Sequence, residues 1–426
     1  MNRGRYGAIA RVHSLINQRF GPRWIWLVVL AAVFPADAWG QLHALPFTDL
    51  EYQYNSNIYA LPSSAPEPLG EHGPTFSDNY LEERAGINAL YDWSLQEFYA
   101  NVEGRHFGYN QLTALSHDEY LLHGGMKWKL AYLFDGVVDY RRERSMVQFL
   151  DFTGRQLFLQ LQSVSTASAN FQFTPDWRLE SQGMINDLDS PRPGYPNLSL
   201  SEDSIHEGLR YVGVAKLSAG IDAIFLNGHF NGDEFVVTPR YNQTTVEAAA
   251  KYVATGLSTF NGAIGYTRRI QEDAATIGGT TGLLAYQRDL TSQTSISIKL
   301  SRAVNTYVTY GGTEIDTGVA LGTIWNATEK IVVTPRYQWT YSTFPGANLT
   351  GLAPIGTARL DHYQLATLSV KYQVLNWLSL RPYAQYETRN SDVGIYSFYR
   401  ALFGLDLELR LSGQADQPYE LYLPEY

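Results

Sequence analysis

The sequence predicts an all-β chain: a transmembrane, antiparallel, up-and-down β-barrel of the outer-membrane type with about eighteen strands. Three observations predict it. Apolar and polar residues alternate with a period of two along arm after arm. The arms are joined alternately by short turns and long polar loops. Aromatic residues gather at the short turns. A period of two is a strand signal, because successive Cβ atoms point to opposite faces of a sheet.

The plan is clearest between Val246 and Arg269. Val246, Ala248, Ala250 and Tyr252 share one face of the first arm, with Glu247, Ala249 and Lys251 on the other. After Thr255-Gly256-Leu257-Ser258, the second arm alternates Phe260, Gly262, Ile264 and Tyr266 against Asn261, Ala263, Gly265 and Thr267. Small and aliphatic residues in mid-strand with an aromatic near each end suit an outer face that meets lipid. The arm from Phe403 to Arg410 is as regular, setting Phe403, Leu405, Leu407 and Leu409 against Gly404, Asp406, Glu408 and Arg410.

Short turns centre near Asp92, Leu133, Pro175, Leu217, Gly256, Gln293, Thr328 and Leu375. Eight such turns separate nine hairpins, hence eighteen strands; sixteen stay open because the arms near 205–230 and 397–411 look less regular. The other connections are longer, as at Leu61–Asp78, Asp187–Asp203 and Thr343–Leu360. Short turns on one rim and long loops on the other are the plan of an outer-membrane barrel. Trp93, Trp177, Trp325 and Trp377 adjoin the short turns, as an amphipathic ring at a membrane interface should. A repeat near forty residues also occurs in soluble β-propellers, but their repeats hold four short strands rather than two long arms. Pro335 interrupts the otherwise regular arm from Ile331 to Tyr341; lacking an N–H, it requires a local defect in the ladder.

Residues 1–40 read as a cleaved secretory signal peptide. Five arginines precede an apolar run from Trp24 to Phe34, and small-x-small cleavage sites follow at Ala36–Ala38 and Ala38–Gly40. That leaves 41–426 as a single barrel domain with a short acidic tail, 412–426, and localisation in the outer membrane of a Gram-negative bacterium. Losing five Arg and one Asp moves the formal charge from −10 to −14. An acidic chain argues against nucleic acid as a partner, since such binding depends on basic surface. The absence of cysteine removes disulfides, thiolate nucleophiles and Cys metal ligands together. The histidines show no metal-ligand spacing, and no Gly-x-Ser-x-Gly elbow occurs. The expectation is therefore no enzyme, no cofactor and no metal.

The polar faces carry many charges, which in hydrocarbon would be costly but in a wet lumen are solvated or paired. Arg105, Arg141, Arg269, Arg336, Arg381 and Arg389, with the aromatic faces of Tyr99 and Tyr383, are the candidate substrate-binding residues of that lumen. Arginine suits carboxylates because its planar fork engages both oxygens. The same residues also suit simple cross-strand ion pairs within the wall.

The first arm, Tyr52-Gln53-Tyr54-Asn55-Ser56-Asn57-Ile58-Tyr59, resembles the opening strand of the exopolysaccharide-biosynthesis outer-membrane barrels (EpsL-type, related to β-barrel porins). Thr174-Pro175-Asp176-Trp177-Arg178, Thr255-Gly256-x-Ser258, Thr267-Arg268-Arg269, Arg302 and Thr388-Arg389-Asn390-Ser391 resemble later segments in the same order. The chain departs at Asn55, where that family has an acid, and at Ala60, where it has a basic residue. The resemblance implies an outer-membrane barrel associated with exopolysaccharide biosynthesis and export. Its implied partners are outer-membrane lipid, an anionic exopolysaccharide and periplasmic polysaccharide-export proteins. A general diffusion porin for small solutes is the alternative, its lumen narrowed by one of the long loops.

Overall fold

A computed structural model describes residues 42–150, 155–191, 199–231, 240–272, 274–307, 312–345 and 359–410. The proposed signal peptide, the acidic tail, residues 192–198 of the loop at 187–203 and residues 346–358 of the loop at 343–360 lie outside those residues.

Eighteen long strands follow in chain order. They are β1 (Leu42–Asn55), β4 (Asp78–Trp93), β5 (Gln96–Tyr109), β6 (His117–Leu130), β7 (Phe134–Met146) and β8 (Leu159–Thr174). Next come β9 (Trp177–Asp189), β10 (Ser199–Val214), β11 (Leu217–Asn231), β12 (Arg240–Thr255), β13 (Ser258–Gln271) and β14 (Ile277–Thr291). The series ends with β15 (Thr294–Tyr307), β16 (Gly312–Thr328), β17 (Ile331–Phe344), β18 (Arg359–Leu375), β19 (Leu378–Ser391) and β20 (Phe398–Arg410). Two-residue strands β2 (Leu69–Gly70) and β3 (Gly73–Pro74) make a small hairpin in the first long loop. Every long strand pairs antiparallel with its chain neighbours, and β1 pairs with β20 from Phe47↔Arg410 to Asn55↔Leu402, which closes the sheet. Closure satisfies every strand edge, a requirement in hydrocarbon where no water can do so.

All eight short turns are where the alternation places them. Thr174, Thr255, Thr291 and Thr328 each end a strand, and their hydroxyls accept amides two or three residues on: Trp177 at 3.1 Å, Leu257 at 3.2 Å, Gln293 at 3.1 Å and Lys330 at 3.2 Å. A threonine that caps its own turn reverses the chain in two residues. The arms at 205–230 prove regular, β10 and β11 staying in register until Tyr211. Gly278 and Gly279 belong to β14. Pro335 does create a defect: pairing of β17 with β16 lapses between Gly322↔Arg336 and Trp325↔Val333. Pro382 has the same effect between β18 and β19.

Ile221, Ile264, Tyr266 and Phe403 are more than half bare on the outer face, where lipid covers them. Asp222, Glu387 and Asp406 are buried on the inner face. The buried apolar side chains gather under the long loops, in one cluster that includes Leu115 and Phe149 and another around Tyr241.

Candidate functional site

The long-loop half of the lumen is filled by chain that folds inward. The segment after β1 turns in at Asn55-Ser56-Asn57. Ser56 exchanges hydrogen bonds with Ala401 of β20, and the Asn57 amide spans the turn, donating to Leu61 O at 2.8 Å while its Oδ1 accepts from Leu61 N at 3.0 Å. Ala60 takes a left-handed φ of 50° inside that bracket. Ile58, Tyr59 and Leu61 are thereby delivered to a core shared with Leu112 and Leu115 from the next long loop and with Val147, Phe149 and Phe158 from the third. The Tyr59 and Phe149 rings meet edge to face at 4.7 Å. Burial pushes the Tyr59 hydroxyl above its ordinary pKa, because a phenolate would lose its water there. Asp78, almost fully buried, accepts the amides of Asn79 (2.8 Å), Gln111 (2.9 Å) and Leu112 (2.7 Å) and fastens the second loop.

The start of the third loop, after β7, reaches across the lumen at Leu150. The Arg389 guanidinium on β19 donates from Nη2 to Leu150 O and from Nε to Tyr396 O at 2.6 Å. Nearby, Arg359 is fully buried between the rings of Phe344 (4.2 Å) and Tyr396 (3.9 Å), donating to Asp361 at 2.9 Å and to Tyr307 at 2.8 Å. Leu150 roofs a cavity of about 420 Å³ against β15–β18, lined by Lys299, Ser301, Glu314, Asp316, Gln338, Thr340, Tyr363 and Arg389 among others.

The structure brings most candidate residues into wall ladders rather than one pocket. Arg105 engages Glu103, Glu119 (3.7 Å) and Glu143 (3.5 Å); Arg141 engages Glu143 at 2.6 Å; Arg381 engages Asp406 at 2.6 Å. Tyr99 and Tyr383 lie flat on the wall. Tyr99 stands opposite Gly125 and donates to Asp139 at 2.5 Å, while Tyr383 stands opposite Gly404 and donates to Glu51. A Cβ at either glycine would meet the ring, so these rings fill glycine notches and present little face to a passing solute. His123 shares Asp139 with Tyr99, at 2.7 Å. Arg269, 1% exposed, stacks on Tyr241 at 3.6 Å and donates to Thr306 at 3.1 Å. Arg336 has no carboxylate partner among the described residues, and its Nε is buried without an acceptor.

Sequence reasoning missed Arg359, the inward loop at 110–116 and the inward residues Val147, Phe149 and Phe158 between β7 and β8. A signal for the latter exists: Val147, Phe149, Leu150 and Phe158 are apolar in a connection that would otherwise be polar and exposed.

No protein-family model matches the chain, and no curated protein matches it in sequence. Solved structures do match. The FrpB iron transporter from Neisseria meningitidis aligns with a TM-score of 0.52 at 9% identity, over 86% of this chain and 68% of that one. The copper transporter OprC aligns at 0.47 and 12%, over 84% of this chain and 63% of that one, so this chain spans less than two thirds of its length. OpdL from Pseudomonas aeruginosa aligns at 0.45 and 10%, over 87% and 99%. The chain is an outer-membrane β-barrel. At such identities the likeness shows the fold alone, one that sits in the outer membrane of Gram-negative bacteria.

Proposed function

We propose that the barrel is a channel for small hydrophilic solutes, selective at its outer half. The observation that carries the reading is Leu150, whose carbonyl is held by Arg389 on the far wall and which leaves a cavity of about 420 Å³ where a polymer conduit would need a wide path. Ligand cavities of this size hold small molecules. Purified barrel in planar bilayers should give small, stable conductance steps. Arg389→Ala, which frees Leu150, should enlarge them; unchanged steps would remove the loop from the permeation path.

Association with exopolysaccharide export is the second reading, favoured by the ordered motifs from Tyr52-Gln53-Tyr54-Asn55-Ser56-Asn57 onward. Of the candidate arginines, an anionic polymer would be met by Arg336, since Arg105, Arg141, Arg381 and Arg389 have carboxylates within 4 Å and Arg269 is buried. Deleting the gene separates the readings: loss of released polysaccharide with unchanged small-solute uptake supports export, and the converse supports the channel.

A further inference from the structure

We propose that the lipid face of β7 holds a phosphate group of an outer-leaflet glycolipid between Arg142 and Arg144. The site lies outside the lumen and is independent of what the lumen carries.

Alternation puts Phe134, Val138, Tyr140, Arg142 and Arg144 on one face of β7, and Phe134, Val138 and Tyr140 are exposed there to lipid. Arg141 and Glu143 take the other face and pair with each other inside the barrel at 2.6 Å. Phe134 begins the strand at the short-turn rim. Arg142 and Arg144 follow about 26 and 33 Å along the strand, at 3.3 Å per residue. With strands tilted by about 40°, they stand about 20 and 25 Å up the membrane normal, against an apolar band about 25 Å tall. The pair therefore sits where outer-leaflet acyl chains end and headgroup phosphates begin.

Among the described residues neither arginine forms an ion pair. Across β6 they stand opposite Leu122 and Tyr120, and across β8 opposite Ser163 and Leu161. The carboxylates of this face on β6 and β9 are engaged elsewhere: Asp118 with His106 at 2.7 Å, Asp187 with Ser201 at 2.5 Å and Asp189 with Ser199 at 3.0 Å. The Arg142 Nε is covered and lacks an acceptor, while the Tyr140 and Tyr120 hydroxyls stand beside its guanidinium. A cation at the edge of hydrocarbon is unfavourable until an anion meets it, and here the protein supplies none.

Two guanidinium groups on one face match a phosphate monoester, whose charge is close to −2 at pH 7, and their planar forks engage its oxygens in pairs. A zwitterionic headgroup would bring its own cation to a site that already has two. Below the phosphate, the acyl chains of the same lipid lie along Val138 and Leu122, both exposed.

Native mass spectrometry of the purified full chain in nonionic detergent tests this with bisphosphorylated and dephosphorylated lipid A, and with inorganic phosphate as competitor. The bisphosphorylated form should be retained about tenfold more tightly or better. Arg142→Gln with Arg144→Gln should erase that preference, and Arg144→Gln alone, at an exposed position, should lower it about threefold. Lys216→Gln with Lys330→Gln, an equal loss of charge at the short-turn rim, should leave it intact. Heat-shifted gel migration verifies that each variant is folded. Equal retention of both lipid forms by the unaltered chain, or an undiminished preference in either folded Arg variant, would overturn the inference. So would displacement of the lipid by inorganic phosphate at equal concentration, which would mark a site for the free anion.

Discussion

The two halves of the lumen are built on different principles. Near the short turns the inner face is open and ionic: Lys127, with 60% of its side chain exposed, pairs with Glu97 at 2.6 Å, and Asp135 pairs with Arg178 at 2.8 Å. Near the long loops the inner face is dry. Arg359 and Arg269 are buried against aromatic rings, and a core of loop side chains around Leu115 and Phe149 narrows the space. Charge in water is cheap and weakly coupled; charge removed from water must be paired, stacked or hydrogen-bonded. The inner half therefore tolerates change in ways the outer half does not.

The largest effect should follow from Asp78→Ala. It leaves the amides of Asn79, Gln111 and Leu112 without their charged acceptor, at about 3–5 kcal/mol of local stability. Hydrogen exchange should show the loop 110–116 opening while the strands stay protected; protection unchanged in that loop would dissolve the distinction between the halves.

Truncating Phe149→Ala removes a buried ring that contacts Tyr59 and should cost about 3–4 kcal/mol, read as a lowered urea midpoint for the loop core. If the same truncation also destabilised strand pairing, the loops would be part of the barrel's own stability rather than a separate unit.

Outside the lumen, Ile264→Arg places a charge on the lipid face and should lower insertion stability by about 2–4 kcal/mol in lipid bilayers. Thr334→Arg, on the wet face of β17, should cost less; equal costs would show that the faces have been assigned wrongly.

The smallest effect belongs to the open half. Lys127→Ala breaks an exposed pair with Glu97 and should change stability by less than about 1 kcal/mol, while shifting the channel's ion preference toward cations in reversal-potential measurements. A loss as large as that at Asp78 would mean the inner half is not solvated as its exposure indicates.

The barrel was legible because a lipid-spanning strand writes its environment into every second residue. Val246–Tyr266 and Phe403–Arg410 show which face meets hydrocarbon, and Thr255, Thr291 and Thr328 mark where the chain reverses. These are local rules, satisfied within one hairpin, so eighteen strands and eight turns could be counted from the chain alone. The Asn55-Ser56-Asn57 motif was visible too, as a family resemblance, but its work was not: its hydrogen bonds run to Leu61 and to Ala401, more than three hundred residues away.

Which arginine does what was decided only by the closed sheet. Arg105, Arg141, Arg269, Arg336, Arg381 and Arg389 look alike in sequence, each on the polar side of its arm. Strand register then gives Arg105 three carboxylates within 4 Å, lays Arg269 on Tyr241, ties Arg389 to the Leu150 loop and leaves Arg336 without an acid among the described residues. Alternation fixes the side of the wall on which a residue stands. Neighbours across strands and across the lumen depend on register, shear and inward loops, which no single strand encodes.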